Sequence, residues 1–254
     1  MHSFHEKIWG STSLSPWYPD SSSKIGEVWF DAPADVPLLI KFLFTTENLS
    51  VQVHPEDAYA RLHHKGSNGK TEMWHILRAD PGARIALGLN RKVTAMELRE
   101  ASITGAIMDL LNWIDVKPGD TFYTPAGTIH AIGAGVALCE IQQISDITYR
   151  LYDYGRNREL HLDHGVAVSI LDAYAQTDIG ACPYFQTTLI EADEPLELKI
   201  TTPSILICLE GAGNLDQAGR YHLGEAWHIA NPTVRITPGA ASRFLLTHVP
   251  PRYS

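Results

Sequence analysis

The sequence predicts a mainly β protein made of two jelly-roll β-barrels or sandwiches with a few short helices. Apolar runs of strand length, such as LLIKFLF (38–44) and GVALCEIQQ (135–143), recur along the chain. The 15 prolines and 19 glycines are spread between these runs rather than gathered into linkers. Many short strands separated by turn signals are typical of sandwiches and barrels. The strand-rich pattern restarts near residue 176, which predicts one domain at 1–175 and a smaller one at 176–254.

Three segments carry helical patterns instead. The longest is an insertion at about 94–112, where Thr94 is followed by Glu97 three positions on, as in a capping box. A short helix is predicted in PEDAYARLH (55–63), with a proline in its first turn. Another is predicted in HLDHGVAVSILDAYA (161–175). These helices interrupt the first predicted domain without changing its β class.

Composition limits the possible partners. The chain has 254 residues and a formal net charge of −9, which argues against general binding to nucleic acid or anionic membranes. No apolar run reaches the roughly 18 residues of a membrane-spanning helix, and the N-terminus lacks the apolar core of a signal peptide. The three scattered cysteines, Cys139, Cys182 and Cys208, form no CxxC pair. We therefore expect a cytoplasmic protein with buried, reduced thiols, present as a monomer or small homo-oligomer.

The most specific local motif is GDTFYTPAGTIHAIG (119–133). It fits the pattern G-x5-P-x-G-x2-H from Gly119 through Pro125 and Gly127 to His130, and it resembles the second motif of the cupin superfamily. Gly119 permits the turn before a strand, while Pro125 and Gly127 shape a tight bend after it. This bend would turn His130 into the opening of a cupin-type jelly roll.

Three more residues are candidate metal ligands. Gln52 and His54 lie two positions apart in a predicted strand, so their side chains leave the same face. Glu72 comes from GKTEMWHIL on the next strand. With His130 they form a nitrogen and oxygen set that suits a divalent metal and favours zinc, with an open position for substrate oxygens. Each residue alone could be an ordinary surface side chain, but the four together predict a metal site.

Several longer segments resemble class I mannose-6-phosphate isomerases. They are PLLIKFLFTTENLSVQVHP, GKTEMWHIL, TPAGTIHAIGAGVALCEIQQISDITYRLYDYGR and the early KIWG and IGEVWF. The resemblance runs from about residue 7 to 165, continues weakly to the end, and is closest to the short bacterial form. It implies a zinc ion held by Gln52, His54, Glu72 and His130. The second domain is expected to be metal-free and cupin-like, because HLGEAWHIANPT echoes the 119–133 motif without its final histidine.

The resemblance also implies an activity and a set of active-site residues. The family interconverts mannose 6-phosphate and fructose 6-phosphate, so the expected partner is a small sugar phosphate and the expected intermediate a cis-enediol. The catalytic positions that match are Arg150, Glu140 and Lys70. The substrate- or phosphate-binding positions that match are Ser50, Lys41 and Arg156.

The residues leave alternatives open. Glu140 is the favoured base, with Lys70 at a lowered pKa, or Asp146, as competitors. Arg150 could instead form a structural ion pair with Asp153 or Asp146. The rival functions are isomerisation of another free or phosphorylated sugar, an iron-dependent cupin oxygenase, and a non-catalytic sugar-binding cupin. The glutamine ligand and the surrounding cations argue against the oxygenase.

Overall fold

The computed structural model describes residues 2–31, 33–65, 67–176 and 182–251. Within them the strands are, in chain order, β1 (His2–Ser11), β2 (Ile25–Phe30), β3 (Leu38–Phe44), β4 (Val51–Val53), β5 (Glu72–Ala79), β6 (Arg84–Leu89), β7 (Leu111–Asp115), β8 (Thr121–Thr124), β9 (His130–Ile132), β10 (Val136–Gln143), β11 (Tyr149–Tyr152), β12 (Gln186–Ala192), β13 (Leu196–Lys199), β14 (Ser204–Glu210), β15 (Ala212–Leu215), β16 (Gly219–His222), β17 (Ala226–Ile229), β18 (Thr233–Pro238) and β19 (Ser242–His248). The helices in the same residues are α1 (Asp57–His63), α2 (Ala95–Thr104), α3 (Ile107–Leu110) and α4 (Leu162–Val168). The predicted mainly β class with few helices is confirmed.

The first eleven strands form two sheets that face each other. One has the order β1-β2-β3-β10-β5-β8 and the other the order β11-β4-β9-β6-β7. A core that includes Leu43, Trp74, Ile85 and Leu138 draws side chains from both sheets. Helices α2 and α4 cover the outer face of the five-stranded sheet around β11. This arrangement leaves the space between the sheets for a site.

Strand β10 is buried along its whole length because both of its faces are covered. Leu138 belongs to the core between the two sheets, while Cys139 and Ile141 belong to a second core that also contains Ile207. Side chains alternate along a strand, so Glu140 shares the inner face with Leu138. An acidic side chain therefore projects into the interior of the first barrel.

Strands β12–β19 form two four-stranded sheets, β12-β19-β14-β17 and β13-β18-β15-β16. They enclose their own core, in which Leu206, Tyr221 and Phe244 are buried. The predicted boundary near residue 176 adjoins residues 177–181, which lie outside the described residues. The two pairs of sheets fall on either side of it, and the division into two domains stays a prediction.

The helical insertion forms, but it ends earlier than predicted. The Thr94 hydroxyl caps α2 by accepting a hydrogen bond from Glu97 N (3.1 Å), and the Glu97 carboxylate pairs with Arg91. Gly105, at φ 85°, ends α2. After α3, residues 111–115 pair with β6 as strand β7. The predicted insertion therefore runs into a strand, since short apolar runs suit either structure.

The other two helices are also shorter than predicted. Helix α1 begins at Asp57, two residues after the proline. Helix α4 ends at Val168, and Ile170 N then donates to Gly127 O (2.8 Å), a partner outside the helix. A backbone donor used by another segment cannot continue the helical bonding pattern.

Sequence patterns do not predict β1. Most of its exposed positions are polar or charged, yet it pairs along β2.

The three cysteines are buried and unpaired. No helix among the described residues is long and apolar enough to cross a membrane.

Candidate active site

His54, Glu72 and His130 meet between the two sheets of the first unit. One ligand atom from each lies within 4.8 Å of the others. The Glu72 carboxylate approaches both imidazoles, with Oε2 3.6 Å from His54 Nε2 and Oε1 3.5 Å from His130 Nε2. All three residues are only 1% exposed. The fold thus brings together three candidate metal ligands that lie far apart in the sequence.

Strand pairing and one tight bend set this geometry. Strand β4 pairs with β9, so that Gln52 lies directly opposite His130. Gly127 N donates to His54 O (2.8 Å), which ties the bend before His130 to the end of β4. Gly127 has a φ of +86°, and an added Cβ would lie 3.0 Å from Val168 O. The bend therefore requires glycine.

Backbone carbonyls fix the tautomers of both histidines. His54 Nδ1–H donates to Ile147 O (2.9 Å), and His130 Nδ1–H donates to Thr128 O (2.9 Å). A carbonyl can only accept, so Nε2 of each ring keeps its lone pair. Burial lowers the pKa of both rings, that of His130 to about 4, and the Lys70 ammonium adds to the effect. Both imidazoles are therefore neutral, as metal ligands must be.

The Glu72 carboxylate provides the test of a metal at this site. Both of its oxygens are buried, and neither has a hydrogen-bond partner among the described residues. The Lys70 ammonium pairs with this carboxylate, 3.3 Å from Oε2. One ammonium beside Oε2 leaves both buried oxygens short of partners, so the carboxylate can accept a further cation. Two imidazole lone pairs beside it complete a donor set that fits a divalent metal.

Gln52 flanks this set with the unsuitable end of its amide. Its Nε2 lies 3.3 Å from His130 Nε2, and its Oε1 lies 3.4 Å from Ser50 Oγ. Only the amide oxygen can bind a metal, so ligation requires the amide group to turn over. The position of Gln52 agrees with the predicted ligand set, and its amide orientation does not.

A cavity of about 300 Å³ opens beside the cluster of candidate metal ligands, His54, Glu72 and His130. Ser50 and Gln52 are part of its wall. The basic side chains of the wall are Lys7, Lys41, Lys70, Arg150 and Arg158. The acidic ones are Glu27, Glu140 and Asp146. An excess of positive charge in a chain whose net charge is −9 indicates a site for an anionic ligand.

Lys41 and Glu140 form a buried ion pair in this wall. Lys41 Nζ lies 3.2 Å from Glu140 Oε1, and each side chain is 5% exposed. Strand register explains the pairing, because Glu140 on β10 lies opposite Lys41 on β3 and Trp74 on β5. Trp74 Nε1–H donates to Glu140 Oε2 (3.1 Å). Burial, together with the Glu72 carboxylate, raises the pKa of Glu140 despite the neighbouring lysines.

Lys70 contacts two of the candidate metal ligands and also lines the cavity. Its Nζ lies 3.2 Å from His54 Nε2 and 3.3 Å from Glu72 Oε2. Burial alone favours the neutral amine, but Glu72, Glu140 and Glu27 together raise its pKa. Lys70 is therefore charged, which is opposite to the lowered pKa that a general base would need.

Two of the predicted arginines have different surroundings. Arg150 lines the cavity, its Nη1 donates to Glu159 O (2.7 Å), and its buried Nε has no partner among the described residues. Asp153, the partner considered from sequence, pairs with Arg158 and Arg156 instead. The Arg150 side chain is thus available to the cavity.

Arg156 lies outside the cavity wall formed by the described residues. Its Nη1 donates to Asn48 O (2.9 Å) and its Nη2 to Glu47 Oε2 (3.1 Å). These contacts fasten the 153–158 segment to the loop before β4. The structure brings Ser50, Lys41, Lys70, Glu140 and Arg150 to one cavity but not Arg156.

Among the polar residues of the cavity wall, sequence reasoning missed Lys7, Thr148 and Arg158. Lys7 lies on β1, a strand that sequence patterns do not predict. Lys7 and Trp9 are two positions apart and both line the cavity, so their shared strand face was a usable signal. Arg158 lies beyond the segment that ends at YDYGR and belongs to no motif.

Similarity to known proteins covers most of the chain. Mannose-6-phosphate isomerase ManA of Bacillus subtilis (strain 168) is 34% identical over 268 aligned residues, which cover 84% of this chain and 85% of the relative. Mannose-6-phosphate isomerase of Streptococcus mutans is 37% identical over 217 residues, which cover 77% of this chain and 68% of the relative. No family model matches the sequence.

Solved structures share the whole fold. The crystal structure of mannose 6-phosphate isomerase from Bacillus subtilis has a TM-score of 0.86 at 28% identity, covering 98% of each chain. A putative mannosephosphate isomerase from Archaeoglobus fulgidus has a TM-score of 0.84 at 17% identity, covering 98% of this chain and 96% of that one, and shows the fold alone. On the strength of the sequence identity and its coverage, the chain belongs to the mannose-6-phosphate isomerase family.

Proposed function

We propose that this chain interconverts mannose 6-phosphate and fructose 6-phosphate by moving a proton between carbons 2 and 1 through a cis-enediol. The observation that supports this best is one cavity lined by a lysine–glutamate pair and several cations, next to the metal-ligand cluster. Such an isomerase needs a base, groups that stabilise the enediolate charge, and an anchor for the phosphate. The cavity offers residues for all three.

His54, Glu72 and His130 would hold the metal, with Gln52 as a fourth ligand through its amide oxygen. A donor set of nitrogens and oxygens without thiolate favours zinc with an open position. When bound, the ion supplies a Lewis acid beside the substrate oxygens.

Glu140 is our proposed base. It lines the cavity, and burial raises its pKa, which strengthens a carboxylate as a base. Lys41 and Lys70 act in the opposite direction and favour its ionised form. Asp146, the competing carboxylate, is exposed at the rim, where water has free access.

Lys70 and Arg150 would stabilise the enediolate. Lys70 is charged and buried, and a fixed cation in a cavity shielded from water stabilises developing negative charge strongly. Arg150 presents a buried N–H group that no described residue binds. These groups need no large rearrangement when the charge appears.

Ser50 and Lys41 are the predicted substrate contacts that line the cavity. Arg156 is less suitable, because Glu47 and Asn48 O occupy both of its amino groups.

The three buried thiols without a disulfide support a reducing compartment, the cytoplasm.

The reaction can be tested by incubating metal-quantified protein with mannose 6-phosphate in deuterium oxide. We expect fructose 6-phosphate with part of the hydrogen on carbon 1 derived from solvent, because a carboxylate base exchanges its proton. Deuterium on carbon 1 would exclude a direct hydride shift, and complete retention of the carbon-bound hydrogen after prolonged equilibration through many reaction cycles would contradict proton transfer through a base. Substrate binding without conversion at full metal occupancy would favour the sugar-binding alternative.

A further inference from the structure

Arg158 has surroundings unlike those of the other cations in the cavity wall. Its Nε and Nη2 donate to the two carboxylate oxygens of Asp153, at 2.7 and 2.6 Å. This two-point contact fixes the plane of the guanidinium group. Asp153 is 2% exposed, so water competes little for the contact. The remaining amino group, Nη1, donates no hydrogen bond to a described residue.

Arg150 lies close enough to sense this charge. Burial first, and then the Arg158 guanidinium, lower the pKa of Arg150. Arg150 has no carboxylate partner among the described residues, and its buried Nε is unpaired. Arg150 and Arg158 line the same cavity, and of the two only Arg158 pairs with a carboxylate among the described residues. An anion in the cavity would offset their repulsion and accept their unused N–H groups.

The burial of the cavity wall orients such an anion. Lys70 and Glu140 are buried, whereas the Arg158 side chain is 32% exposed. A sugar phosphate whose reacting carbons approach Glu140 at the buried end presents its other end to the opening. Phosphate oxygens accept hydrogen bonds from a guanidinium group better than from other side chains, because the fork geometry matches.

We propose that Arg158 selects a phosphorylated substrate by binding its phosphate, and that Asp153 is a positioning residue that holds Arg158 in place. The assignment rests on the proposed isomerase function and adds to it two residues that no sequence motif marks for this role. Arg156 also approaches Asp153, with Nη1 3.4 Å from Oδ1, but its other contacts turn it toward the loop before β4. It braces the segment rather than the ligand.

The test compares Arg158→Gln, Arg158→Lys and Asp153→Asn in steady-state kinetics with mannose 6-phosphate. Losing a charged hydrogen bond to phosphate should raise KM by about 10- to 150-fold in Arg158→Gln, with kcat close to wild type. Competitive inhibition by inorganic phosphate should weaken by a similar factor in this variant. Arg158→Lys keeps the charge without the fork geometry, so its KM should lie between those of the wild type and Arg158→Gln. Asp153→Asn should raise KM less than Arg158→Gln, because it loosens the guanidinium without removing it.

A matched control is Arg99→Gln. Arg99 forms an exposed pair with Asp163, outside the cavity wall, so KM and phosphate inhibition should not change. Metal content and the urea unfolding midpoint of every variant confirm folding. If Asp153→Asn fails to fold, the two Arg158 variants still decide the matter. An unchanged KM in Arg158→Gln, or a KM increase in Arg156→Gln in its place, would overturn the proposal.

Calorimetric titration with inorganic phosphate separates this inference from the proposed function. Suppose that the wild-type protein binds phosphate, that the Arg158→Gln variant does not, and that neither converts mannose 6-phosphate. This result would refute the isomerase function while supporting the role of Arg158. Wild-type turnover with phosphate binding that is unaffected by Arg158→Gln would refute the role of Arg158 alone.

Discussion

Replacing Glu140 with glutamine separates catalysis from packing at the centre of the cavity. The amide keeps the size of the carboxylate and an oxygen for Trp74 Nε1–H (3.1 Å), but it removes the charge opposite Lys41 (3.2 Å). Proton transfer then lacks its base. A positioned base contributes about 10²–10⁴-fold to the rate, so kcat should fall by that factor. Metal content should stay at the wild-type value, because Glu140 is not a ligand.

The same substitution leaves Lys41 as a buried charge without its partner. Removing one member of a buried pair costs about 3–5 kcal/mol. For a chain of this size, each kcal/mol lowers Tm by about 2–4 °C, so a fall of roughly 6–20 °C is expected. The face of Trp29, 4.7 Å from Lys41 Nζ, offers the charge some compensation and favours the lower end.

A double variant supplies the control. Lys41→Met with Glu140→Gln removes both charges and should be more stable than the sum of the two single losses predicts. A coupled enzyme assay measures kcat, and urea unfolding measures the free energy of unfolding. Wild-type kcat in Glu140→Gln would refute the base assignment, and strict additivity in the cycle would refute the buried pair.

Three further predictions concern the metal, a helix cap and pH. His54→Ala removes one imidazole of the metal cluster, so elemental analysis should find most of the metal lost; wild-type metal content would contradict the site. Thr94→Ala removes the hydroxyl that caps α2 and should lower the free energy of unfolding by about 0.5–2 kcal/mol, with kcat unchanged. A loss of activity there would mean that α2 shapes the site. Burial, then Arg243, lowers the pKa of His75 from 6.5 to about 4. Between these values the unfolded chain binds a proton that the folded chain does not, so the stability present above pH 6.5 falls as the pH drops toward 4, by about 3 kcal/mol. His75→Gln should flatten this dependence in urea unfolding, and an unchanged slope would contradict a neutral, buried imidazole.

The parts of the fold that follow from local chemistry could be predicted from the sequence. Apolar runs gave strands such as β3 and β10 close to their true bounds. The glycine and proline spacing before His130 predicted the bend, because a positive φ at Gly127 is a local requirement. Period-two alternation predicted that Gln52 and His54 would leave β4 together, and both lie beside His130 in the structure.

The parts that depend on distant partners could not be predicted. The Lys41–Glu140 pair depends on the register between β3 and β10, which no local pattern encodes. Lys7 lines the cavity from β1, whose apolar signal is weak because it lies at a sheet edge, so its spacing from Trp9 was the one local sign of its position. Arg158 lines the cavity and donates two hydrogen bonds to the buried Asp153, and no spacing rule identifies that pair.

The central proposal is that conversion of mannose 6-phosphate requires a metal held by His54, Glu72 and His130. The most direct test is a coupled assay of fructose 6-phosphate formation by protein of known metal content, before chelation, after chelation and after zinc is returned. We predict turnover that falls in proportion to the metal removed and recovers when zinc is restored. Full turnover by protein shown to retain no metal would contradict the account.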